Sequence, residues 1–402
     1  MKKVLFLGAS PFQTPPIKFA KEQGYQVITL DNKPSNPGHA IADVSYDIDI
    51  RDIKSVLTIA RSEQVSAVVS SASDVSLPAK IKVSQALCLP CVSERVAKIL
   101  INKEKFRTYL KENGIQQLPF ATFGFGEATC ALNYLKEGKL PAIIKPVDRS
   151  GSLGVTVIRH IEEAKSAINR ARKASFSGKI IIEKYVQTLM PQICGDGYME
   201  NSKIKFILFG NGFSYRNSPY PVPFAESFPA SHPTNILIRT KTKIEHILQD
   251  LGYDRGPFNF DVIIDQEGTP FILELTPRAG GNFIPTVISL QTGVDLVAAI
   301  VESAVNPDFI LSTDKTNINE VFISYMIHSL HKGRFQGIKI NNELEQEGAI
   351  HSTRFFKELG EEIEFFDRGG RAIGNIIMKF PNQQRAEETL KNINNNIDVR
   401  VT

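Results

Sequence analysis

Residues 256–281 limit the fold more than any other stretch of the chain. They read Gly-Pro-Phe-Asn-Phe-Asp-Val-Ile-Ile-Asp-Gln-Glu-Gly-Thr-Pro-Phe-Ile-Leu-Glu-Leu-Thr-Pro-Arg-Ala-Gly-Gly. Apolar and polar residues alternate on both sides of Glu267-Gly268, the period of a strand with one buried face. A turn centred on that pair predicts an antiparallel hairpin. Asp261 then falls opposite Glu274, and Asn259 opposite Thr276. Phe260, Val262 and Ile264 share the core face with Phe271, Leu273 and Leu275. Two carboxylates facing each other across a hairpin repel. A hard cation between them removes the conflict, and Mg²⁺ accepts carboxylate oxygens together with substrate phosphates. A solvated acidic pair on an open face is the plainer alternative.

The rest of the chain is read around this hairpin. At 402 residues it exceeds one core at roughly 100–200 residues per domain. Residues 1–98 alternate short apolar strands (Val4–Leu7, Val27–Leu30, Ala67–Ser70) with helical stretches (Thr14–Gln23, Ile53–Ser62, Val75–Leu87). This is the pattern of a doubly wound parallel sheet, so the fold class is α/β. The turn Gly8-Ala-Ser-Pro-Phe lacks the dinucleotide glycines, and Asp31 alone does not replace them. A second unit, 99–190, opens with a helix at Asn102–Asn113 stopped by Gly114. It continues through strands Ala142–Val147 and Val155–Ile158, helix Ile161–Ala174 and strand Lys179–Val186. A third unit, 191–310, holds strands Lys205–Phe209, Phe258–Ile264 and Phe271–Leu275 and a helix from about Thr286. A small unit, 311–402, has a strand from Gly374 and a helix from Gln383.

Composition excludes several classes. Hydrophobic residues at 42%, charged residues at 22% and a net charge of +4 describe an ordinary globular chain without a basic stripe for nucleic acid. No run of about 18 apolar residues occurs, so no membrane helix is expected. The opening apolar run is too short for a signal peptide and reads as a strand, which predicts a cytoplasmic location. Cys88 and Cys91 form Cys-x-x-Cys, but Cys130 and Cys194 are remote and no His pair completes a zinc set. A structural role is expected, with Leu-Cys-Leu-Pro-Cys-Val entering a buried strand. His328 and His331 are read as ordinary residues.

Three further segments carry chemistry. Ile143–Ile158 places Lys145 before a turn with Ser150, Gly151, Ser152 and Gly154 between two β-rich runs. Glycine lets backbone N–H groups approach phosphate oxygens, and lysine adds a point charge. The Gly-Lys-Ser/Thr of a P-loop is missing, so a strand–loop–strand lid is predicted. Ile180-Ile-Ile-Glu-Lys-Tyr-Val186 is an apolar strand whose end can offer backbone groups to a purine edge. Arg278-Ala-Gly-Gly-Asn282 sets an arginine and flexible backbone before a helix, an anion-friendly arrangement.

Together, in this order and spacing, the four segments resemble the ATP-grasp superfamily, in a carboxylate–amine ligase-like form. The domain organisation is similar to that of carbamoyl-phosphate synthase and biotin carboxylase. The resemblance spans nearly the whole chain. It implies an N-terminal doubly wound domain, two α+β subdomains forming the ATP-grasp fold, and a small C-terminal α+β unit. It implies ATP with Mg²⁺, or Mn²⁺ in its place. Lys103 and Lys145 would meet the phosphates, and Ser150–Gly154 would be the lid. Glu183, Lys184 and Val186 would hold the adenine, and Gln192 would stand in for a ribose-binding acid. Asp261 and Glu274 would bind the metal, and Arg278 would face the reacting phosphate. Thr276 stands where the family usually has Asn, so Asn259 or a water is expected to supply that ligand. The activity implied is ligation of a small-molecule carboxylate, amino-acid-like, to an amine through an acyl phosphate, with release of ADP and phosphate. A bicarbonate-dependent carboxylase and a non-catalytic ATP-binding regulator are the alternatives. Neither a nucleic acid nor a membrane partner is expected, and a homodimer stays open.

Overall fold

The computed structural model describes residues 1–116, 118–188, 190–215, 218–314 and 319–402. The first strands are β1 (Lys3–Leu7), β2 (Gln26–Asp31), β3 (Val44–Asp47) and β4 (Ala67–Val69), all parallel, in the order β3-β2-β1-β4. Both faces of this sheet are covered, which is why its strands are continuous apolar runs. Val56, Ala60, Ala79 and Val83 cover one face. Ile17 and Ala20 cover the other, together with Ile300, Val301 and Ala304 from helix Leu296–Val305. A doubly wound sheet opens a crevice at the carboxyl ends of the strands where its order reverses. Here that point lies between β1 and β4. Gln13 spans it, donating from Nε2 to Leu7 O and Ser71 O, both at 3.1 Å.

The lid unit is an antiparallel sheet of β5 (Phe120–Phe123), β6 (Ala142–Pro146), β7 (Thr156–Ile158) and β8 (Ile180–Lys184), ordered β5-β8-β6-β7. Helices Ala128–Lys136 and Ala164–Ala174 pack Ala131, Leu135, Ala167, Ile168 and Ala171 onto Ala142, Ile144, Ile180 and Ile182. The turn between β6 and β7 needs its glycines. Gly154 has φ +79°, and a Cβ there would lie 2.6 Å from that of Ala174.

The central sheet has eight strands, ordered β13-β12-β9-β10-β11-β14-β18-β16. They are β9 (Gln192–Glu200), β10 (Lys203–Ser214), β11 (Pro223–Phe228), β12 (Gly256–Ile264), β13 (Pro270–Thr276), β14 (Val321–Ile327), β16 (Ile350–Phe355) and β18 (Gly374–Phe380). Helix Thr234–Asp250 and the entry helix Lys103–Glu112 bury one face, with Ile244, Ile247 and Phe106 against Phe258, Phe260 and Val262. Helix Ile284–Thr292 covers part of the other, with Val287 and Ile288 against Cys194 and Phe228. The sheet continues through residue 310, so the expected C-terminal unit shares its backbone hydrogen bonds. Outside it, β15 (Gly333–Ile340) pairs with β17 (Glu362–Ile363) and β19 (Ile397–Val401). No single helix among the described residues is long and apolar enough to cross a membrane.

Two expectations are corrected. The Cys88–Cys91 run is not a buried strand: both thiols are exposed and the segment has no regular structure, because Cys88 turns the chain at φ +54°. In the hairpin, Phe271 and Leu273 do not join the core. A bulge after Asp261 shifts the register, pairing Val262 with Ile272, so Ile272 and Leu275 fill the core side.

Candidate active site

The hairpin keeps the predicted pairs Asp261–Glu274 and Asn259–Thr276 in register. Each carboxylate has one partner from another element. Lys103 opens the entry helix, whose N-cap is Asn102, and its Nζ lies 2.7 Å from Glu274 Oε1. The same Nζ donates to Arg149 O at 2.7 Å, just before the Gly-rich turn. Gln192 Nε2 donates to Asp261 Oδ1 at 2.7 Å. Removal from water and the facing Glu274 charge push the Asp261 carboxyl up to about 7. Burial also opposes ionisation of Glu274, but Lys103, with the Lys145 and Arg278 charges, outweighs it and holds that carboxyl below its ordinary range. Thr276 Oγ1 is buried with no hydrogen-bond partner. Among the described residues no cluster of three His, Cys, Asp or Glu side chains forms a protein-only metal cage. Two acids and a free hydroxyl suit a cation such as Mg²⁺ that takes its remaining oxygens from phosphate and water.

Arg278 is buried beside this pair. Its Nε and Nη2 reach Asp74 Oδ1 at 2.7 and 2.6 Å, and Nη1 reaches Asn259 Oδ1 at 3.4 Å. Asn259 donates in turn to Asp196 Oδ1 at 2.8 Å, and Asp196 accepts the Gly280 N–H at 2.9 Å. The arginine is thus fixed from two sides. Asp74 comes from the loop after β4, at the crevice of the first sheet, and Asp196 from β9. Asn259, expected to complete the metal site, is turned to Asp196 and Arg278 instead. Gly280 cannot carry a side chain, since its Cβ would lie 2.8 Å from Asn259 Nδ2 and 2.9 Å from Asp196 Oδ1. Asn282 and Phe283 follow with φ +51° and +58°. Asn282 donates to Glu226 Oε1 at 2.7 Å and accepts from the Ser324 hydroxyl.

Across the cleft stands a buried ion triad. Lys145 Nζ is 2.7 Å from Glu183 Oε2, and Arg107 Nε is 2.9 Å from Glu183 Oε1. Burial works against ionisation of Glu183, but Arg107 and Lys145 prevail and hold it at about 2. The Glu183 side chain therefore faces inward, and only its strand backbone is available to a ligand. One positive charge remains uncompensated in the triad, beside the cleft. Lys145, Glu183, Lys184, Val186 and Gln192 line a common cavity of about 770 Å³ between the lid sheet and the central sheet. Gln192 links it to Asp261. The turn Ser150–Gly154 lies outside that lining, tied down by Ser152 Oγ to Pro221 O at 3.1 Å and by Gly369 N–H to Gly151 O at 3.0 Å.

The sequence reading missed Asp74, Arg107, Asp196 and Glu226, and met Asn282 only as the end of the Arg278 segment, without a role. Arg107 and Asp196 carried a faint signal, a charged residue inside an otherwise buried pattern. Asp74 and Glu226 carried none, because their partners lie 204 and 56 residues away.

Comparison with known proteins fits this arrangement. The family model "D-ala D-ala ligase C-terminus" matches residues 109–290, which hold the lid sheet, the hairpin and Arg278. The formate-dependent phosphoribosylglycinamide formyltransferase of Wolinella succinogenes is 24% identical over 295 residues, 71% of this chain and 72% of that enzyme. The L-amino acid ligase of Bacillus licheniformis superposes with a TM-score of 0.83 at 17% identity, over 100% of this chain and 99% of the other. The biotin carboxylase domain of Hydrogenobacter thermophilus 2-oxoglutarate carboxylase, solved with MgADP and bicarbonate, superposes with a TM-score of 0.74 at 17% identity, over 100% of this chain and 91% of that one. Residues 109–290 thus carry a domain of the D-ala D-ala ligase C-terminus family, and the chain as a whole shares the fold of these ligases and carboxylases.

Proposed function

We propose that this ligase joins an amino-acid-like carboxylate to an amine through an acyl phosphate, releasing ADP and phosphate. The observation that carries this reading is the opposed pair Asp261–Glu274, with Lys103 on one acid and Gln192 on the other, at the end of a cavity lined by Lys145. In this reading the strand end Glu183–Val186 receives the adenine through backbone groups. Lys145 and Lys103 draw the phosphates, and the Ser150–Gly154 turn covers them. Asp261, Glu274 and the Thr276 hydroxyl hold Mg²⁺, which would offset the triphosphate charge in the phosphoryl-transfer step. A carboxylate oxygen of the first substrate attacks the γ-phosphorus and ADP leaves. The amine nitrogen of the second attacks the acyl carbon and phosphate leaves. Arg278, fixed by Asp74 and Asn259, meets the negative oxygens of the transferring group without having to reorganise. The solved relative with MgADP supports the choice of nucleotide and metal.

The experiment is a screen of paired carboxylates and amines, reading ADP and phosphate, with and without bicarbonate. Product containing both substrates, with one ADP per bond, is the expected result. Turnover that needs bicarbonate and one amine alone would replace the reading with a carboxylase. ATP binding with no phosphate release on any pair would replace it with a regulator.

A further inference from the structure

The sheet face that carries Asp261 continues past Gln192 of β9 and Gly212 of β10 to Glu226 of β11; these three align across the strands. Gly212 puts no side chain between the other two. Glu226 is 3% exposed. Its Oε1 is occupied by Asn282 Nδ2 at 2.7 Å. Its Oε2 is sealed from solvent and meets no donor or acceptor. Among the described residues no Lys, Arg or His forms an ion pair with it. Buried polar atoms in folded chains are nearly always satisfied, and an exception calls for an explanation. Protonation does not supply one, since a buried O–H without an acceptor is as orphaned as a bare oxygen.

The surroundings are built to hold this carboxyl still. Asn282 is locked in a left-handed conformation, its carbonyl accepts from Ser324, and Asn375 Nδ2 donates to Ser324 Oγ at 2.8 Å. All of this fixes one oxygen and leaves the other free. The loop that holds it is the one that carries Arg278, and the Asp261 charge adds to burial in raising the Glu226 carboxyl. One end of this region therefore presents an unpaired acid, the other an arginine and the acidic hairpin.

We propose that Glu226 Oε2 receives the protonated amine of the carboxylate substrate, so that the acyl donor is a zwitterionic amino acid, ammonium on Glu226 and carboxylate towards Arg278. This rests on the ligase reading for the carboxylate's fate, but not for the binding itself. Amine-free carboxylates of the same shape would leave Oε2 orphaned and bind poorly. A free dicarboxylate would add repulsion.

The test separates this role from simple anchoring of Asn282. Glu226→Gln keeps an oxygen for Asn282 and removes the charge. Calorimetry of the full chain with the twenty common L-amino acids, and with propanoate and 3-phenylpropanoate as counterparts of alanine and phenylalanine lacking the amine, reads binding without turnover. At least one amino acid should bind the wild type, and deleting its amine should weaken binding about 10- to 100-fold, the range for a hydrogen bond to a charged group. Glu226→Gln should lose the same factor, with ATP affinity and melting temperature unchanged. Equal binding of the amine-free acid, unchanged affinity in the variant, or no amino acid bound by the wild type overturns the proposal. Phosphate release in the same samples judges the ligase reading separately. Turnover on amine-free acids sinks the ammonium site and leaves the ligase. Glu226-dependent binding without phosphate release on any amine does the reverse. The comparison within wild type stands even if the variant fails to fold.

Discussion

Replacing Glu183 with glutamine tests the triad beneath the lid. The carboxylate is 1% exposed and holds two cations that are 1% and 7% exposed. Glutamine leaves Arg107 and Lys145 facing each other with no counter-charge. Breaking a buried pair from one side costs about 3–5 kcal/mol. The titration gives an independent figure. A carboxyl held at about 2 against an ordinary 4.5 corresponds to about 3 kcal/mol at neutral pH. Its folded value is depressed, so this stability is fully present above pH 4.5 and is lost as pH falls through about 2. The chain has no tryptophan, so urea unfolding is followed by circular dichroism. Wild type and variant should differ by about 3–5 kcal/mol at pH 7 and by under half of that at pH 3. A difference below about 1 kcal/mol at pH 7, or one that is constant from pH 7 to pH 3, would refute the argument; the first value is that of an exposed pair.

Three further outcomes are expected. Asp261→Asn should abolish turnover yet stabilise the metal-free protein by up to about 4 kcal/mol at pH 8; the Asp261 carboxyl sits at about 7 against an ordinary 3.8, so stability is lost between about pH 4 and 7 as the unfolded chain ionises first, and the gain should vanish below pH 4 in urea titrations. Arg278→Lys should cut kcat at least about tenfold with little change in ATP affinity, since lysine cannot hold Asp74 and Asn259 with one planar group; wild-type kcat would remove Arg278 from the reaction. Gly154→Ala should lower the melting temperature and raise the KM for ATP, since φ +79° and a 2.6 Å approach to Ala174 cost about 1–3 kcal/mol; an unchanged KM would detach the turn from nucleotide binding.

What could be read from the sequence was what periodicity controls. The hairpin register from Asn259 to Glu274 followed from centring the two strands on one glycine turn, and it failed only at the bulge that moves Leu273 to the cleft side. The parallel strands of residues 1–98 were legible because both faces are buried and each strand is a plain apolar run. Strand β3 was missed: its burial alternates weakly at an edge. Strand β9 was missed because Gly195 and Gly197 interrupt its pattern; each glycine is required there, as a Cβ at Gly195 would lie 2.1 Å from Leu208 O. Charged side chains were visible, but not their partners. Nothing local shows that Glu183 turns inward to Arg107, or that Arg278 leans on an aspartate 204 residues earlier.

The order of strands in the central sheet has a consequence for synthesis. Strand β11 ends at Phe228, and its second neighbour, β14, begins only at Val321. At about 5–20 residues per second, the outer edge of β11 stays bare for roughly 5–20 s after it is made. That edge offers the backbone of Ala225 to Phe228 beside two buried phenylalanines, a template for any passing strand. Closing it is the work of the last fifth of the chain. A nascent or truncated chain that stops short of Val321 therefore keeps the Asp261–Glu274 hairpin and Arg278 but exposes its stickiest border, so its yield will depend on chaperone capacity before it depends on the chemistry of the site.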